Sequence, residues 1–423
     1  MATVHVRASW VGARSVGSVS RPQPSLRCPL WYALHNGRNQ VVCSTNAGFP
    51  ANAQGVCCVT QRYPPGRGSD LQEQGHRPLV DRRDEHPGTE HACLHRAAAA
   101  AQLRHDLLHE RLGHLTRGGG LTIDNLIAAD VVLADGRLVR TSESELPDLF
   151  WALRGGGGNF GVVVSFSFSL QEVSDVLAGP TLWPMEAAPA VMRAFDTYMA
   201  TAPEIVGGFF LFLEVPPDPS FPAELHGRRM CAIAWCVTDP DATDVFDDLL
   251  AVAEPELHGV QRMPFPAWNS AFDGLYPPGH QWYWRADFVK ELSDEAIALH
   301  VEHGGRLPTM QSSMHLYPIN GAAARVGKDD TAWAYRDARY GQVIVGVDPD
   351  PGKAGLLRDW TVAYHDALHP HSMGGAYVNM MMEEGQDRVR ASYRDHYDRL
   401  AAVKATYDPE NLFRVNQNIA PAG

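Results

Sequence analysis

The order of elements around a glycine-rich loop limits the folds open to this chain. Residues 146–153 are typical of a short helix with an early proline, the glycines at 155–158 end it, and residues 162–170 read as a strand. The loop matches G-x-G-x-x-G from Gly156 to Gly161, but a dinucleotide-binding loop leaves a strand and opens a helix. The reversed order disfavours a Rossmann NAD(P) enzyme. Two interpretations of the glycines stay open: a flexible connection, or a loop whose backbone closely approaches a planar or phosphate-bearing ligand.

The elements beside this loop predict antiparallel strands. In the strand after it, apolar residues alternate, so we expect one face toward the core, formed by Val164, Phe166, Phe168 and Leu170. Before it, residues 130–134 and 137–141 indicate a β-hairpin. The Asp135-Gly136 pair between them predicts a type I′ turn, because that turn needs positive φ.

The middle of the chain alternates strands and helices. Strands are predicted at 207–215, 228–238 and 342–348, and helices at 189–199, 243–252, 292–303 and 353–369. Cys231 and Cys236 are expected to pack in these strands as small apolar residues. The pattern favours an α+β fold, an antiparallel sheet backed by helices.

An aromatic strand at 281–288 offers a candidate ligand surface. Alternation places Trp282 and Trp284 on one face and Tyr283 and Arg285 on the other. A core strand with one snorkelling arginine explains one face, and the other face would line a pocket for an aromatic or sugar-like ligand. We assign Tyr283 and Arg285 to substrate binding. We also predict that His315 binds the substrate; the alternative is that it is a structural histidine.

Residues 1–112 differ from the rest of the chain. They carry 13 arginines, no lysine and 8 acidic residues, a net charge of +5, so residues 113–423 carry −18. They show little periodicity except for a pair at Val41-Val42 and a helix-compatible run at 94–112. Our hypothesis is that this segment is translated in the wrong reading frame or misjoined.

Metal chemistry and disulfides have weak support in the sequence. Five of the seven cysteines lie in the first 112 residues without C-x-x-C spacing, so reduced thiols are favoured over the cluster of His91, Cys93 and His95 as zinc ligands. We predict no metal site.

Charge and hydropathy restrict partners and location. A net charge of −13 argues against nucleic acid or an anionic membrane as partner. No apolar run reaches membrane-spanning length, and Ser9–Arg14 interrupts any secretory signal. We therefore expect a cytoplasmic protein acting on a small molecule. No oligomeric state is predicted.

From residue 112 onward the sequence resembles the FAD-linked oxidases of the berberine-bridge-enzyme type, in the vanillyl-alcohol oxidase/PCMH superfamily. Three blocks carry the resemblance: GHLTR with GLTIDNL at 113–126, DLFWALRGGGGNFG at 148–161, and YDPENLFRVNQNI at 407–419. It implies a PCMH-type FAD-binding domain, a substrate domain over the flavin, and a C-terminal segment that returns to the flavin. The corresponding divisions are an aberrant or disordered segment at 1–112 in place of the first FAD subdomain, the remaining FAD domain at 113–180, the substrate domain at 181–375 and the C-terminal segment at 376–423.

The resemblance also implies roles for individual residues. Tyr377 and Tyr397 are its candidates for general base, although a helical stripe from Val389 to Val403 equally explains Tyr397 as core. The residues it implies for FAD binding are Gly120, Leu121, Asp124, Asn125, Gly156, Gly158, Asn159, Phe160, Gly161, Val163, Asn379, His396, Tyr397, Asn416 and Asn418. His396 stands where the family has asparagine, and no residue for covalent FAD attachment can be assigned in 1–112.

The implied function is an FAD-dependent oxidase of a small organic substrate, such as a sugar, polyketide or alkaloid. A base takes a proton from the substrate, hydride passes to the flavin, and O₂ reoxidises it. The alternative is a non-catalytic remnant that binds a small molecule or partner without flavin turnover.

Overall fold

The computed structural model describes residues 112–273, 279–414 and 417–423. It also describes the backbone of four earlier strands, β1 (Thr3–Ser9), β2 (Tyr32–Asn36), β3 (Gln40–Ser44) and β4 (Val56–Gln61). The predicted helix at 94–112 and the cluster of His91, Cys93 and His95 lie outside these residues.

A five-stranded antiparallel sheet forms the first layer. Besides β1 and β4 it contains β5 (Leu126–Val132), β6 (Leu138–Ser142) and β7 (Val162–Ser169), in the order β4-β1-β7-β5-β6. Strand β1 pairs with β4 on one side and β7 on the other, and β2 pairs with β3. Residues 3–9 therefore belong to the same sheet as the later, periodic part of the chain. The alternation of Val4 and Val6 should have indicated this strand. The reading-frame hypothesis for residues 1–112 stays a prediction.

The predicted hairpin is β5–β6, but its turn is not type I′. Only Gly136 has positive φ, at 83°. The Gly136 amide donates to the Leu133 carbonyl at 3.0 Å, and the Leu133 amide donates to the Arg137 carbonyl at 2.9 Å. This is a three-residue connection in which glycine alone takes the left-handed conformation.

Strand β7 is covered on both faces, whereas its alternation predicted one. Phe168 is buried and Phe166 half-buried as expected, but Ser165 and Ser167 on the opposite face are buried as well. The difference arises because alternation cannot report a polar face that other parts of the protein cover.

An eight-stranded antiparallel sheet forms the second layer. Its strands are β8 (Asp175–Pro184), β9 (Val206–Glu214), β10 (Arg229–Val237), β11 (Leu257–His258), β12 (Gln261–Pro264), β13 (Gln281–Val289), β14 (Ser313–Pro318) and β15 (Tyr340–Asp348). Their order is β11-β8-β10-β9-β14-β15-β13, and β12 also pairs with β8. The predicted strands are all present, and β8, β11, β12 and β14 were not predicted. Since β8 starts at Asp175, this layer begins slightly before the boundary predicted at residue 180.

Helices cover one face of the large sheet, as predicted. The α-helices are α1 (Thr116–Gly119), α2 (Pro147–Leu153), α3 (Ala188–Thr201), α4 (Asp247–Leu250), α5 (Phe265–Ser270), α6 (Asp294–Gly304), α7 (Ala322–Arg325), α8 (Ala354–Leu368), α9 (Gln386–Tyr393) and α10 (Tyr397–Tyr407). Side chains of α3, α6 and α8 pack with alternate residues of β9, β10, β14 and β15, including Phe210, Trp235 and Ile344. We call this the helix-covered face. Cys231 lies in the same core, and burial raises the pKa of its thiol to about 12, so its predicted packing role is confirmed.

The opposite face, called the inner face, meets the first layer and the C-terminal segment. Ala286 and Val343 of the inner face pack with Val131 of β5 and with residues of α9 and α10. Phe288 packs with Leu121 and Tyr377 in an adjoining cluster. The inner face thus lies at the junction of three parts of the chain, where a ligand would be enclosed.

Candidate functional site

Aromatic rings cluster on the inner face. The ring of Phe209 on β9 lies 4.7 Å from Tyr317 and 5.0 Å from His315, both on β14. His114, just before α1, lies 5.5 Å from the ring of Trp268 on α5 and 5.8 Å from Phe209. Residues from four separate elements therefore build one aromatic wall, suited to planar or sugar-like ligands.

Three alternate residues of β14 form a hydrogen-bonded row in this wall. His315 Nδ1 lies 2.8 Å from Tyr317 Oη, and His315 Nε2 lies 3.0 Å from Ser313 Oγ. Burial lowers the pKa of His315 to about 4, so the imidazole is neutral near pH 7. A neutral imidazole has one acceptor nitrogen, which here accepts from one hydroxyl while the other nitrogen donates. Such a row can take up a proton and move it between hydroxyl groups.

Tyr377 and Asn379 approach the same wall from the C-terminal segment. Tyr377 is buried in the cluster of Leu121 and Phe288, against which Tyr317 also packs. The Asn379 amide donates to Tyr377 Oη at 3.1 Å. Residues 373–375 hold this segment to the edge of β13, because the Met373 amide donates to the Phe288 carbonyl and the Phe288 amide to the Gly375 carbonyl, each at 2.8 Å. The structure thus brings Tyr377, Asn379 and His315 into one region.

Tyr397, the second predicted base, lies in the C-terminal helical core. It packs with Tyr393 and Leu400, and the Arg390 guanidinium stacks 4.1 Å from its ring centroid. Its surroundings match the alternative in which it belongs to the helical stripe from Val389 to Val403.

His396, predicted to contact the flavin, has both ring nitrogens engaged by protein. Nε2 lies 3.0 Å from Asp329 Oδ1 and Nδ1 lies 3.3 Å from the Ala332 carbonyl. The ring also makes an edge contact with Trp151. His396 therefore fixes the loop at 329–332.

The segment from Gly120 to Asn125 is braced internally. Arg336 donates to both oxygens of Asp124, at 2.8 and 2.6 Å, and the Leu121 amide donates to Asp124 at 2.9 Å. The Asn125 amide donates to the carbonyls of Gly119 and Leu121. The polar side chains predicted to bind FAD here hold the loop in shape instead.

The glycine-rich loop is explained mostly by close internal packing. A Cβ on Gly155 would lie 2.4 Å from the Trp333 amide nitrogen, and one on Gly161 would lie 2.7 Å from the Val132 carbonyl oxygen. Gly156 is similarly blocked, 2.6 Å from the Ala152 carbonyl oxygen. Gly157, with φ 64°, has open space, and Gly158 is exposed. Only the middle of the loop is accessible for a ligand; Phe160 is fully buried and Val163 half-buried.

Asn159 fastens this loop to the C-terminal segment. Its amide nitrogen donates to the carbonyls of Gly156 and Gln417, and its oxygen accepts from the Ile419 amide. Asn418, between these two partners, has a buried Oδ1 that makes no protein hydrogen bond. A buried amide oxygen without a partner costs stability unless a ligand donor reaches it. Asn418 therefore fits the cofactor role predicted for it, whereas Asn416 lies outside the described residues.

Tyr283 and Arg285 do not join His315, contrary to the predicted substrate site. In the register of β13, β15 and β14, His315 lies in one row with Val343 and Ala286 on the inner face. Arg285 is opposite Ile344, which belongs to the helix-covered core. Its guanidinium lies 3.3 Å from Glu384 and 4.9 Å from the Tyr283 ring. The predicted substrate residues therefore lie on two faces of the sheet, because alternation separates two faces without telling which one faces a neighbouring strand's site residue.

The inner face carries residues that sequence reasoning did not assign. Trp284 lies in one row with Val345 and Ser313, and its buried indole nitrogen makes no hydrogen bond; nor does that of Trp268. Tyr317 and Ser313 complete the row around His315. The alternation Ser313-x-His315-x-Tyr317 was the signal that could have identified β14 as a polar inner strand.

Known proteins resemble this chain in sequence and fold. The family model described as "Berberine and berberine like" matches residues 376–420. An uncharacterized FAD-linked oxidoreductase of Bacillus subtilis is 32% identical over 73% of this chain and 68% of its own length. An FAD-linked oxidoreductase of Dictyostelium discoideum is 26% identical over 73% of this chain, and the match spans 66% of that protein, slightly less than two thirds of its length.

A solved structure agrees with these matches in fold. The xylooligosaccharide oxidase from Myceliophthora thermophila, solved with xylobiose, superposes with a TM-score of 0.62 at 23% identity, over 75% of this chain and 71% of that one. In the part of the chain that the structure describes, no helix is long and apolar enough to span a bilayer.

Proposed function

Because the chain belongs to the FAD-linked oxidoreductases of the berberine-bridge-enzyme type, we propose that it oxidises a small organic substrate such as a sugar, a polyketide or an alkaloid, with O₂ as second substrate. The observation that carries the proposal is the meeting of the Ser313–His315–Tyr317 row with Tyr377 and Asn379 at an aromatic wall. Acid–base groups and flat apolar surfaces are what oxidation of a hydroxyl or C–H bond in such a substrate needs.

The residues that would hold FAD are the backbone around Gly120 and Gly157–Gly158, and the Asn418 side chain. They fit such a group because Asn418 Oδ1 is buried without a protein partner and Gly157 leaves open space. FAD would supply the acceptor for hydride and the reaction with O₂.

Tyr377 is the proposed proton acceptor. The Asn379 amide donates to its phenolic oxygen, and a donor at that position stabilises the phenolate more than the phenol. Tyr317 and neutral His315 supply a neighbouring path for the proton, since they are already joined at 2.8 Å. The indole nitrogens of Trp268 and Trp284 would donate to substrate oxygens, because both are buried and make no protein hydrogen bond.

The alternative function is binding of a small molecule without turnover. It is favoured by the internal engagement of Asp124, Asn125 and His396, three side chains predicted to contact FAD. In that case the aromatic wall would still bind aromatic ligands, but no flavin would accompany it.

Expression of the full chain in flavin-supplemented medium separates the two functions. We expect a yellow protein whose visible flavin spectrum bleaches when substrate is added without O₂, and peroxide release when a panel of sugars, phenols and alkaloids is supplied with O₂. A folded, colourless chain that binds aromatic ligands after incubation with FAD would contradict the oxidase and support the binding protein.

A further inference from the structure

A polar cluster lies on the helix-covered face, where the end of α8 meets the edge strand β13. Asp287 of β13 is fully buried, and His365 and His369, four residues apart along α8 and the turn after it, both point to its carboxylate. We propose that Asp287, His365 and His369 form a binding site for a divalent transition metal, with zinc as the best-fitting ion. This inference is independent of the proposed function, and the sequence analysis predicted no metal site.

The ligand geometry supports an ion between the three side chains. His365 Nε2 lies 3.2 Å and His369 Nδ1 lies 3.1 Å from the same oxygen, Asp287 Oδ2. Zinc bonds of 2.0–2.1 Å in a tetrahedron place ligand atoms roughly 3.3 Å apart. The three ligand atoms lie within 4.8 Å of one another, so a small adjustment of the two imidazoles completes the site.

An unpartnered nitrogen strengthens this interpretation. His365 Nε2 is buried and makes no hydrogen bond although Asp287 Oδ2 is only 3.2 Å away. The two atoms form an ion pair without hydrogen-bond geometry. A metal ion bound between them would give the nitrogen a direct partner.

Neighbouring groups orient the ligands in the way metal sites require. Asp366 Oδ1 lies 3.2 Å from His365 Nδ1, which fixes the ring with Nε2 toward the site. Arg388 donates to Asp287 Oδ1 at 2.6 Å and leaves Oδ2 for the ion. Glu384 lies 3.4 Å from Arg388 Nε and shares the neutralisation of Arg388 with Asp287, so part of the Asp287 charge remains for a cation.

The site has an entrance and an open coordination position. The His369 side chain is 42% exposed, and Ser372 Oγ lies 3.3 Å from its Nδ1. Two imidazoles and one carboxylate with a fourth position for water or a hydroxyl are a common zinc arrangement. Bound metal would fix the turn at 369–375, which leads directly into the segment that carries Tyr377.

Metal binding to the full chain tests the proposal, with zinc alone as the probe. After chelator treatment, we expect calorimetry to find one high-affinity zinc per chain and the melting temperature to rise with zinc concentration, but not with magnesium. Cobalt in place of zinc should give the visible spectrum of a tetrahedral site. The measurements are made in a Cys93→Ser background, because His91, Cys93 and His95 are a separate potential source of zinc binding.

A pair of variants decides whether the zinc lies at this cluster. His369→Ala should weaken zinc binding at least tenfold, while His371→Ala, two residues away in the same turn, should leave it unchanged. His369 is half exposed, so its replacement should not prevent folding. No stoichiometric zinc, or equal binding by the two variants, would overturn the proposal and leave Asp287 as the centre of a metal-free ionic network.

Discussion

The two faces of the large sheet bury polar groups in different ways. On the helix-covered face, Asp287 is surrounded by Arg388, His365 and His369, so its charge is countered by positive or potentially positive groups. On the inner face, His315 is held between two neutral hydroxyls beside indole nitrogens that have no protein partner. The charges around Asp287 are paired within the protein and stabilise the fold. The inner face, in contrast, keeps N–H donors that a ligand can use. Near neutral pH, substitutions should therefore affect mainly stability on the helix-covered face and mainly turnover on the inner face.

The largest effect is expected from Tyr377→Phe on the inner-face side. Removing a positioned proton acceptor should lower kcat by about 10²–10⁴-fold, with little change in melting temperature. Peroxide release under saturating substrate measures it. Tyr198→Phe is the matched control, because the Tyr198 hydroxyl donates to the Val245 carbonyl on the helix-covered side. If kcat fell equally in both variants, turnover would not depend on the inner face more than on the helix-covered face.

On the helix-covered face, Asp287→Asn should reduce the free energy of unfolding by about 3–5 kcal/mol, since it breaks the buried ion pair between Asp287 and Arg388. Denaturant unfolding followed by circular dichroism gives the value. Asp294→Asn, whose carboxylate is exposed and pairs with Arg193, should cost less than about 1 kcal/mol. Comparable losses would mean that the buried pair does not stabilise this face.

Acidification should destabilise the protein through its buried neutral histidines. Burial lowers the pKa of His315 to about 4, below the ordinary value of 6.5, so the unfolded chain binds more protons between these pH values. Stability is therefore complete above pH 6.5 and falls as the pH drops toward 4, by about 3 kcal/mol for this residue. His315→Gln should flatten the curve of unfolding free energy against pH in that range. An unchanged curve would show that His315 is not buried in its neutral form.

The smallest effect is expected for Tyr397→Phe. The Tyr397 ring packs in the helical core and under Arg390, and phenylalanine keeps both contacts, so we expect less than about 1 kcal/mol of destabilisation and a kcat within a few-fold of the parent. The same peroxide and unfolding assays apply. A loss of 100-fold or more would instead identify Tyr397 as the proton acceptor.

Patterns that depend on one strand or helix predicted the fold well. The strand-favouring composition of β9, β10 and β15 and the helical spacing in α3, α6 and α8 predicted these elements within a few residues. Strand β8 was not predicted, since Gly179 and Pro180 interrupt its pattern and its pairing with β10 and β12 forms only in the sheet.

The candidate site was less accessible to sequence reasoning. Which face of β13 meets the inner cluster depends on its register with β15, so Arg285 was placed in the site and Trp284 was left out. The glycines at 156 and 161 were assigned to a ligand because sequence cannot show the carbonyl groups packed against them. His365 and His369 were visible as a pair four residues apart, but Asp287, their common neighbour, comes from a distant strand.

The hydrogen bonds of Asn159 set an order of events during synthesis of the protein. Its partners Gln417 and Ile419 are 258 and 260 residues further along the chain, and Lys404, which donates to its carbonyl, is 245 residues away. The glycine-rich loop emerges from the ribosome early but lacks these contacts until the last helix and its following segment are made. Final closure of the loop therefore cannot precede synthesis of residues 404–419.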